Sequence, residues 1–355
     1  MIASLDITNF KPFERLYANS FGRINLIAGL NNVGKTALLE AIYLILGGQN
    51  IELILRTLSF RGLGQFQGDP AGIRDAAWAP FFHKLNALNP FSIETTLDNG
   101  STARSTFRLL QTDLVIRPTT NSLSIEPTSS TLVPLGLSLA HDTPDGRTLE
   151  ATITLDPAGF KINPSNVVPF LPGYFVGSRP LQTPIDDANL FSQLQTREEP
   201  HAILEALQVL EPRLKRLAVI LSAGVPMLHA DVGLPKMIPL LLMGDGIRRM
   251  ALIHVAIANS RGGVVLIDDI ELGVHHSTIP SVWRSLANAA QRFDTQLFAT
   301  THSYEWIAAA AKTEQESFLS DLRLHRLERT NGAIRLVTYD KEAFQAAIDS
   351  ELEVR

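Results

Sequence analysis

Arg23-Ile-Asn-Leu-Ile-Ala-Gly-Leu-Asn-Asn-Val-Gly-Lys-Thr36 leads directly into Ala37-Leu-Leu-Glu-Ala-Ile-Tyr-Leu-Ile-Leu-Gly-Gly48. The first part opens as an apolar strand and the second reads as a helix ending at two glycines. Between them, Gly29 to Thr36 matches G-x-x-x-x-G-K-[ST] without a mismatch. In such a loop the glycines let backbone N–H groups curl around phosphates, and the following helix turns its positive end toward the anion. Gly29, Asn31, Asn32, Val33, Gly34, Lys35 and Thr36 are therefore the expected nucleotide-binding residues. Lys35 is expected to reach the β and γ phosphates of ATP, and the Thr36 hydroxyl to ligate Mg2+. The strand before and the helix after are the context the motif requires.

A second strand of the same kind, Gly263-Val-Val-Leu-Ile-Asp268-Asp269, ends in two carboxylates. Buried strands of α/β proteins deliver ligand chemistry at this end. Adjacent carboxylates repel, and a divalent cation between them and the phosphates relieves that repulsion. Asp268 is expected to face Mg2+, and Asp269 to orient or deprotonate the attacking water. A third strand, Gln296-Leu-Phe-Ala-Thr-Thr301, places His302 in a comparable position. His275 and His276 have no third ligand at a telling spacing.

Outward from these blocks, residues 2–8 alternate as a strand, and helical pieces are expected around 51–58 and 81–88. From Phe91 to about Lys161, short β-rich runs separated by Asn-Gly, Pro and Ser/Thr clusters imply an antiparallel lobe. Its loop, 127–146, reads as the most flexible part. Residues 185–216 read as helices, too short for a coiled-coil rod. The last third alternates strand and helix, which implies a mostly parallel sheet covered on both faces. The expected organisation is an N-terminal ATPase part over 1–90, a β-rich lobe over 91–184, a helical insertion over 185–225, and a C-terminal ATPase part over 226–355.

The chain has 355 residues, of which 45% are hydrophobic and 19% charged, enough for a large core. Its net charge of −5 lacks the basic excess of a dedicated duplex-DNA binder. There is no cysteine, which removes disulfides, zinc ribbons and thiol nucleophiles. The N-terminus does not read as a signal peptide. The most apolar stretch, 238–258, carries Asp245, Arg248 and Arg249 and is a poor membrane span. A cytoplasmic location is expected, with no membrane partner.

Taken together, the blocks ITNFKPF, RINLIAGLNNVGKTALLEAIYLI, PLLLMGDGIRRMALIHVAIA, VVLIDDIELGVHHS, QLFATTHSYEWI and RLHRLERTNGAIRLVTYDKEAFQAAID resemble the RecF/SMC-like ABC ATPases. The likeness is strongest to stand-alone bacterial AAA-family ATPases related to the ATPase half of the overcoming-lysogenization-defect (OLD) nucleases. It covers both ends of the chain and is weak over about 60–225. It implies an α/β fold of the P-loop NTPase class and ABC/SMC head type. Such a head has a mixed central sheet, an antiparallel β lobe and a helical lobe. It also implies a homodimer in which two heads sandwich two ATP molecules. The signature of one head, here Met243-Gly244-Asp245-Gly246, would then cap the γ-phosphate held by the other. Gly244, Asp245 and Gly246 join the expected nucleotide contacts on this ground, and His302 becomes a switch histidine.

Three departures from that pattern stand out. Gly244 replaces the usual signature serine, Asp269 replaces the usual catalytic glutamate, and a Q-loop glutamine is not evident. Ser178 and Arg179 follow the strand GYFV, while Gln65 and Gln67 come too early. These departures question the rate of hydrolysis, not ATP binding. Neither a Toprim-like nuclease module nor a long coiled coil is read. The expected role is an ATP-gated switch for a separate protein effector, plausible in phage defence, with region 91–216 as the docking surface. Two other roles stay open. One is a RecF-like DNA clamp using Arg61, Arg104, Arg108 and Arg117; the other is a nucleotide-binding structural subunit with little turnover.

Overall fold

The structure, a computed structural model, describes residues 1–62, 74–112, 133–156, 159–165, 167–178, 183–197, 200–313, 321–339 and 341–349. Gln65, Gln67, Arg117, Arg179 and residues 127–132 of the expected 127–146 loop lie outside them; most of the rest of that loop, Val133–Asp142, is a strand and not a loop.

At the centre is strand β3 (Ile24–Gly29), buried along its whole length. It belongs to a six-stranded sheet of order β16-β15-β3-β14-β13-β9, where β9 is Gly173–Val176, β13 Val264–Ile267, β14 Gln296–Thr300, β15 Leu322–Thr330 and β16 Ala333–Tyr339. All pairings are parallel except β15 with β16, which the Asn331-Gly332 turn joins as a hairpin. Continuous apolar runs mark strands covered on both faces. Leu26, Ala28, Val265, Ile267, Leu297 and Ala299 face one core. That core includes helices α5 (Asp245–Asn259), α6 (Ile279–Arg292) and α7 (Tyr304–Thr313). Ile27, Val264, Leu266 and Phe298 face a second core with helix α1 (Lys35–Leu46).

Helix α1 is buried on nearly every side because a second sheet closes over it. This sheet has seven antiparallel strands in the order β2-β1-β4-β5-β6-β7-β8. In chain order they are β1 (Ile2–Phe10), β2 (Phe13–Asn19), β4 (Phe91–Leu97), β5 (Thr102–Thr112), β6 (Val133–Asp142), β7 (Thr148–Asp156) and β8 (Gly159–Asn163). The period-2 pattern sends Leu5, Ile7, Ile93, Phe107, Leu139 and Ile153 inward. Phe91 and Phe107 stack across two of these strands at 4.5 Å between ring centroids. The expected β lobe is therefore present, and strands from the N-terminal block complete its sheet. Gln296 links the two sheets: its Oε1 accepts from the Ile2 N–H at 2.8 Å, and its Nε2 donates to the carbonyls of Ile2 and Gly22. A buried amide satisfied at each end pins the sheets together.

The remaining helices are α2 (Leu53–Phe60), α3 (Pro184–Gln195), α4 (Pro200–Gln208) and α8 (Lys341–Asp349). A capping box starts α3: Thr183 Oγ1 accepts from the Asp186 N–H, and Asp186 Oδ2 accepts from the Thr183 N–H. Two expectations fail here. Helices were read over 185–216 and the helical insertion was drawn to 225, but β10 (Arg216–Ser222) and β11 (Val225–Asp231) form a hairpin across that boundary, with β12 (Ile238–Pro239) beside it. The helix has ended by Gln208, before Pro212, and Leu217 to Leu221 is rich in β-formers. Ala223 and Gly224, both at positive φ, make the turn. The segment 81–88 is not a helix either. Lys84 and Leu85 sit at positive φ and break it into two short turns. Among the described residues no helix is long and apolar enough to cross a membrane.

His325, buried in β15, gives the core a pH dependence. Its Nδ1 is 2.9 Å from Thr338 Oγ1 and its Nε2 3.1 Å from Asn25 Oδ1. Burial, with Arg323 nearby, pushes its pKa down to about 3. The unfolded chain takes up this proton near pH 6.5, roughly the ordinary imidazole value. Stability from neutral His325 is therefore full above pH 6.5 and is lost as pH falls toward 3. At pH 5 the loss is about 2 kcal/mol. Urea unfolding at pH 7 and pH 5 should show His325→Gln losing about 2 kcal/mol less than the wild-type chain over that interval. Equal losses would contradict this role. Burial also holds down His141 and His254, so part of the acid sensitivity will persist in the variant.

Candidate nucleotide site

The loop after β3 turns where a side chain would not fit. Gly29 has φ +142°, and a Cβ there would lie 2.5 Å from the Leu327 carbonyl oxygen. Gly34, also at positive φ, sits at the start of α1. Lys35 Nζ donates to the carbonyls of Gly29 at 2.7 Å and Leu30 at 3.1 Å. Burial holds the Lys35 ammonium below its ordinary pKa, although Asp269, Glu271 and Asp268 pull it back up. Asn31, Asn32, Gly34, Lys35 and Thr36 line a cavity of about 590 Å3 together with Asp269. Val33 differs from them: its side chain is buried in the core under the loop, so only its backbone is available to a ligand.

Parallel pairing of β3 with β14 and of β14 with β13 brings both acids to α1. Thr36 Oγ1 donates to the Asp268 carboxylate, 3.0 Å from Oδ1 and 3.1 Å from Oδ2. Thr300 Oγ1 also donates to it, at 2.8 Å. Burial pushes the Asp268 carboxyl up, Asp269 adds to the rise, and the two hydroxyls oppose it. Asp268 and Thr36 together form an oxygen-only pair beside a phosphate loop. This fits a hard cation such as Mg2+. Asp269 adopts φ +52°, and its N–H donates to Thr300 Oγ1 at 2.8 Å. Asp and Asn tolerate that left-handed conformation better than longer side chains do. This gives a local reason for Asp where the resemblance leads one to expect Glu.

His302 follows β14, as expected, and is next to this turn. Its Nδ1 lies 2.7 Å from Glu271 Oε1 and 3.8 Å from Asp269 Oδ1. Asp269, Glu271 and His302 bring three potential metal ligands within 4.8 Å of one another. Glu271 was not singled out from sequence, although it lies two residues after Asp269 in the same acidic turn. Arg249 on α5 was missed as well. Its guanidinium donates to the carbonyls of Gly177 (2.7 Å), Asp268 and Asp269, tying α5 to the acidic turn.

A further cluster in the cavity also escaped sequence reading. Glu40, buried in α1, accepts from Lys11 Nζ at 2.5 Å and from Arg61 Nε and Nη2 at 2.8 and 3.0 Å. Burial, with help from Arg61, pushes Lys11 down to about 8 against the pull of Glu40. Burial would raise the Glu40 carboxyl, but the two cations outweigh it and hold it low. Two cations around one carboxylate leave a net positive charge at a site for phosphates. Arg61, expected as a DNA contact, is committed here. Arg104 pairs with Glu94 at 3.7 Å, and Arg108 is exposed.

The signature segment starts α5, as expected. None of Met243, Gly244, Asp245 and Gly246 lines the chain's own cavity. A Cβ on Gly246 would lie 2.0 Å from the Gly273 carbonyl oxygen, so Gly246 lets α5 pack against the turn after the acids. A Cβ on Gly244 would meet nothing within 4 Å. His275 accepts from the Ser277 N–H and contacts the Ser277 hydroxyl at 2.9 Å, an arrangement that caps a short turn.

A phosphate loop after a central strand, paired acids on the next strand but one, and an antiparallel sheet closed over the helix that follows the loop define a P-loop fold of the ABC/SMC head type. The comparisons agree with this class. Residues 4–123 match an AAA-domain family. Residues 170–308 match an AAA-domain family described with the AbiEii toxin and type IV toxin–antitoxin systems. The chain is 23% identical to an ATP/GTP phosphatase of Helicobacter pylori, with 99% of each chain aligned. It is 34% identical to the DNA replication and repair protein RecF of Caulobacter vibrioides over 110 residues, which is 30% of this chain and 27% of that protein. An SMC head bound to the C-terminal winged-helix domain of ScpA superimposes with a TM-score of 0.51 at 12% identity, covering 98% of this chain and 99% of that one. An SMC head bound to the C-terminal domain of ScpA, derived from Pyrococcus furiosus, gives 0.50 at 10% identity and 99% coverage of both. The chain therefore has the P-loop fold of an ABC/SMC head and is similar in sequence to AAA domains and, over a shorter stretch, to RecF.

Proposed function

We propose that the chain binds Mg2+ and ATP at this cavity, that two copies close around two nucleotides, and that this closure switches a separate protein effector. The observation that carries the reading is the separation of the two half-sites. The cavity has the phosphate loop and Asp269, whereas Gly244, with open space beside it, starts a helix outside the cavity. A helix N-terminus is an anion site. Outside its own cavity, that site is free to serve a second copy. Leu241 and Leu242, 37% and 74% exposed, precede the signature directly, and Leu272 in the acidic turn is also exposed. Closure of a dimer would remove this apolar surface from water.

In this reading Lys35 binds the β and γ phosphates, Thr36 and Asp268 hold Mg2+, and Arg61 adds charge to the cavity. The cation would neutralise charge on the phosphate oxygens. Asp269 receives a proton of the attacking water. The water oxygen bonds to the γ-phosphorus, the bond from that phosphorus to ADP breaks with its electron pair on ADP, and the proton passes on to the released phosphate. Dimer formation is linked to ATP, so a partner that prefers the closed pair binds more tightly when ATP is present. The β-rich and helical region over 91–216 is the proposed docking surface. A role in defence against phage would suit such a switch. A DNA clamp is less favoured, because Arg61 and Arg104 are held by Glu40 and Glu94.

Turnover per chain measured against protein concentration tests the two-copy site. The rate should rise with concentration before reaching a plateau and should vanish without Mg2+. A per-chain rate that is constant on dilution to well below micromolar would contradict it.

A further inference from the structure

We propose that Glu271 is a positioning residue that fixes His302 in its Nδ1-protonated tautomer, and so assigns the other ring nitrogen to the attacking water rather than to a phosphate oxygen. The inference rests on the ATPase reading and adds a residue that the reading does not use. One oxygen of Glu271, Oε1, meets two donors of the same residue: the His302 main-chain N–H at 2.9 Å and ring Nδ1 at 2.7 Å. Two contacts to one oxygen fix both the start of the segment after β14 and the rotation of the ring. Glu271 is 12% exposed and His302 is 56% exposed, so the anchor is mostly buried and the ring reaches toward solvent. The second oxygen of Glu271, Oε2, is buried without a hydrogen-bond partner among the described residues. Burying a carboxylate is costly, and here both of its side-chain hydrogen bonds go to His302. The position makes sense through His302.

The chemistry follows from which groups can donate. A carboxylate only accepts, so Nδ1 carries the proton, and a neutral imidazole then has its lone pair on Nε2. A phosphate oxygen is also an acceptor and gains nothing from that lone pair. Water has hydrogens to give. One water proton goes to Asp269, and the other O–H donates to Nε2, which orients the oxygen for attack on the γ-phosphorus. Asp269 Oδ1 stands 3.8 Å from Nδ1, beyond hydrogen-bond length, so Glu271 also keeps His302 from occupying the base. Glu271 lies two residues after Asp269, and His302 follows a neighbouring strand. The pair therefore holds the acidic turn and the histidine segment in one arrangement.

Two readouts on the full chain test this: steady-state hydrolysis with ATP affinity, and the nitrogen spectrum of 15N-histidine-labelled protein with His302 assigned from His302→Gln. Wild-type His302 should show the Nδ1-protonated pattern. Glu271→Ala should lose that pattern and lower kcat by roughly tenfold to hundredfold, the range typical when the partner orienting a functional imidazole is removed. Its Kd for ATP should stay within about twofold, because Glu271 does not line the nucleotide cavity. Glu271→Gln presents an amide oxygen to the same two donors, so it should keep the tautomer and recover most of kcat. Wild-type kcat in Glu271→Ala, equal losses in Ala and Gln, or an Nε2-protonated wild-type ring would each overturn the proposal. If the wild-type chain hydrolyses no ATP, the ATPase reading falls. The ring spectra then decide alone: loss of the Nδ1-protonated pattern in Glu271→Ala upholds the positioning role, and an unchanged pattern removes it.

Discussion

Lys35→Ala is expected to lower ATP affinity by about two to three orders of magnitude. The ammonium is the cation aimed at the β and γ phosphates, and charge-assisted hydrogen bonds of this kind contribute roughly 1.5–3 kcal/mol each. At the lower end of that range, two of them lost correspond to roughly 100- to 1000-fold in Kd. The folded chain should tolerate the change. Among the described residues Lys35 donates only to the loop carbonyls of Gly29 and Leu30, and burial already disfavours its charge. Calorimetric titration with ATP and Mg2+, alongside a melting curve, separates the two effects. Near-normal affinity in a folded Lys35→Ala protein would remove the phosphate-loop assignment.

Asp269→Asn is expected to keep ATP and to slow hydrolysis by about 100-fold or more, since a positioned base contributes roughly 10²–10⁴-fold. Asn is the suitable substitution because the residue sits at φ +52°, where Asn is also tolerated. The hydrogen bond from its N–H to Thr300 should survive. Asp269→Glu would restore the residue that the family usually has, but at a left-handed position that disfavours a longer side chain. Wild-type turnover in Asp269→Asn would show that another group takes the proton.

How much of this was legible in the sequence follows from how local each feature is. The phosphate loop is eight consecutive residues whose flanking strand and helix are themselves local patterns, and the paired acids end one apolar strand. The β lobe was readable from its alternation and turn residues. The hairpin at 216–231 was not read from sequence, and the boundary drawn at 225 falls at its turn. Glu40 with Lys11 and Arg61, and Arg249 with the acidic turn, join residues 29, 21 and about 20 positions apart. No periodicity reports such pairs. Glu271 was within reach, because a third acid two residues after Asp269 had no assigned task. That it holds His302, 31 positions away, required the parallel pairing of β13 and β14.

The central claim is that the site held by one copy is completed by the signature of another. Sizing chromatography with light scattering on Asp269→Asn, with and without ATP and Mg2+, tests it most directly, because this variant should bind nucleotide and release it slowly as product. The account predicts one chain per particle without ATP and two chains with it, and predicts that Lys35→Ala stays at one chain in both conditions. A single chain of Asp269→Asn per particle with ATP bound would contradict it.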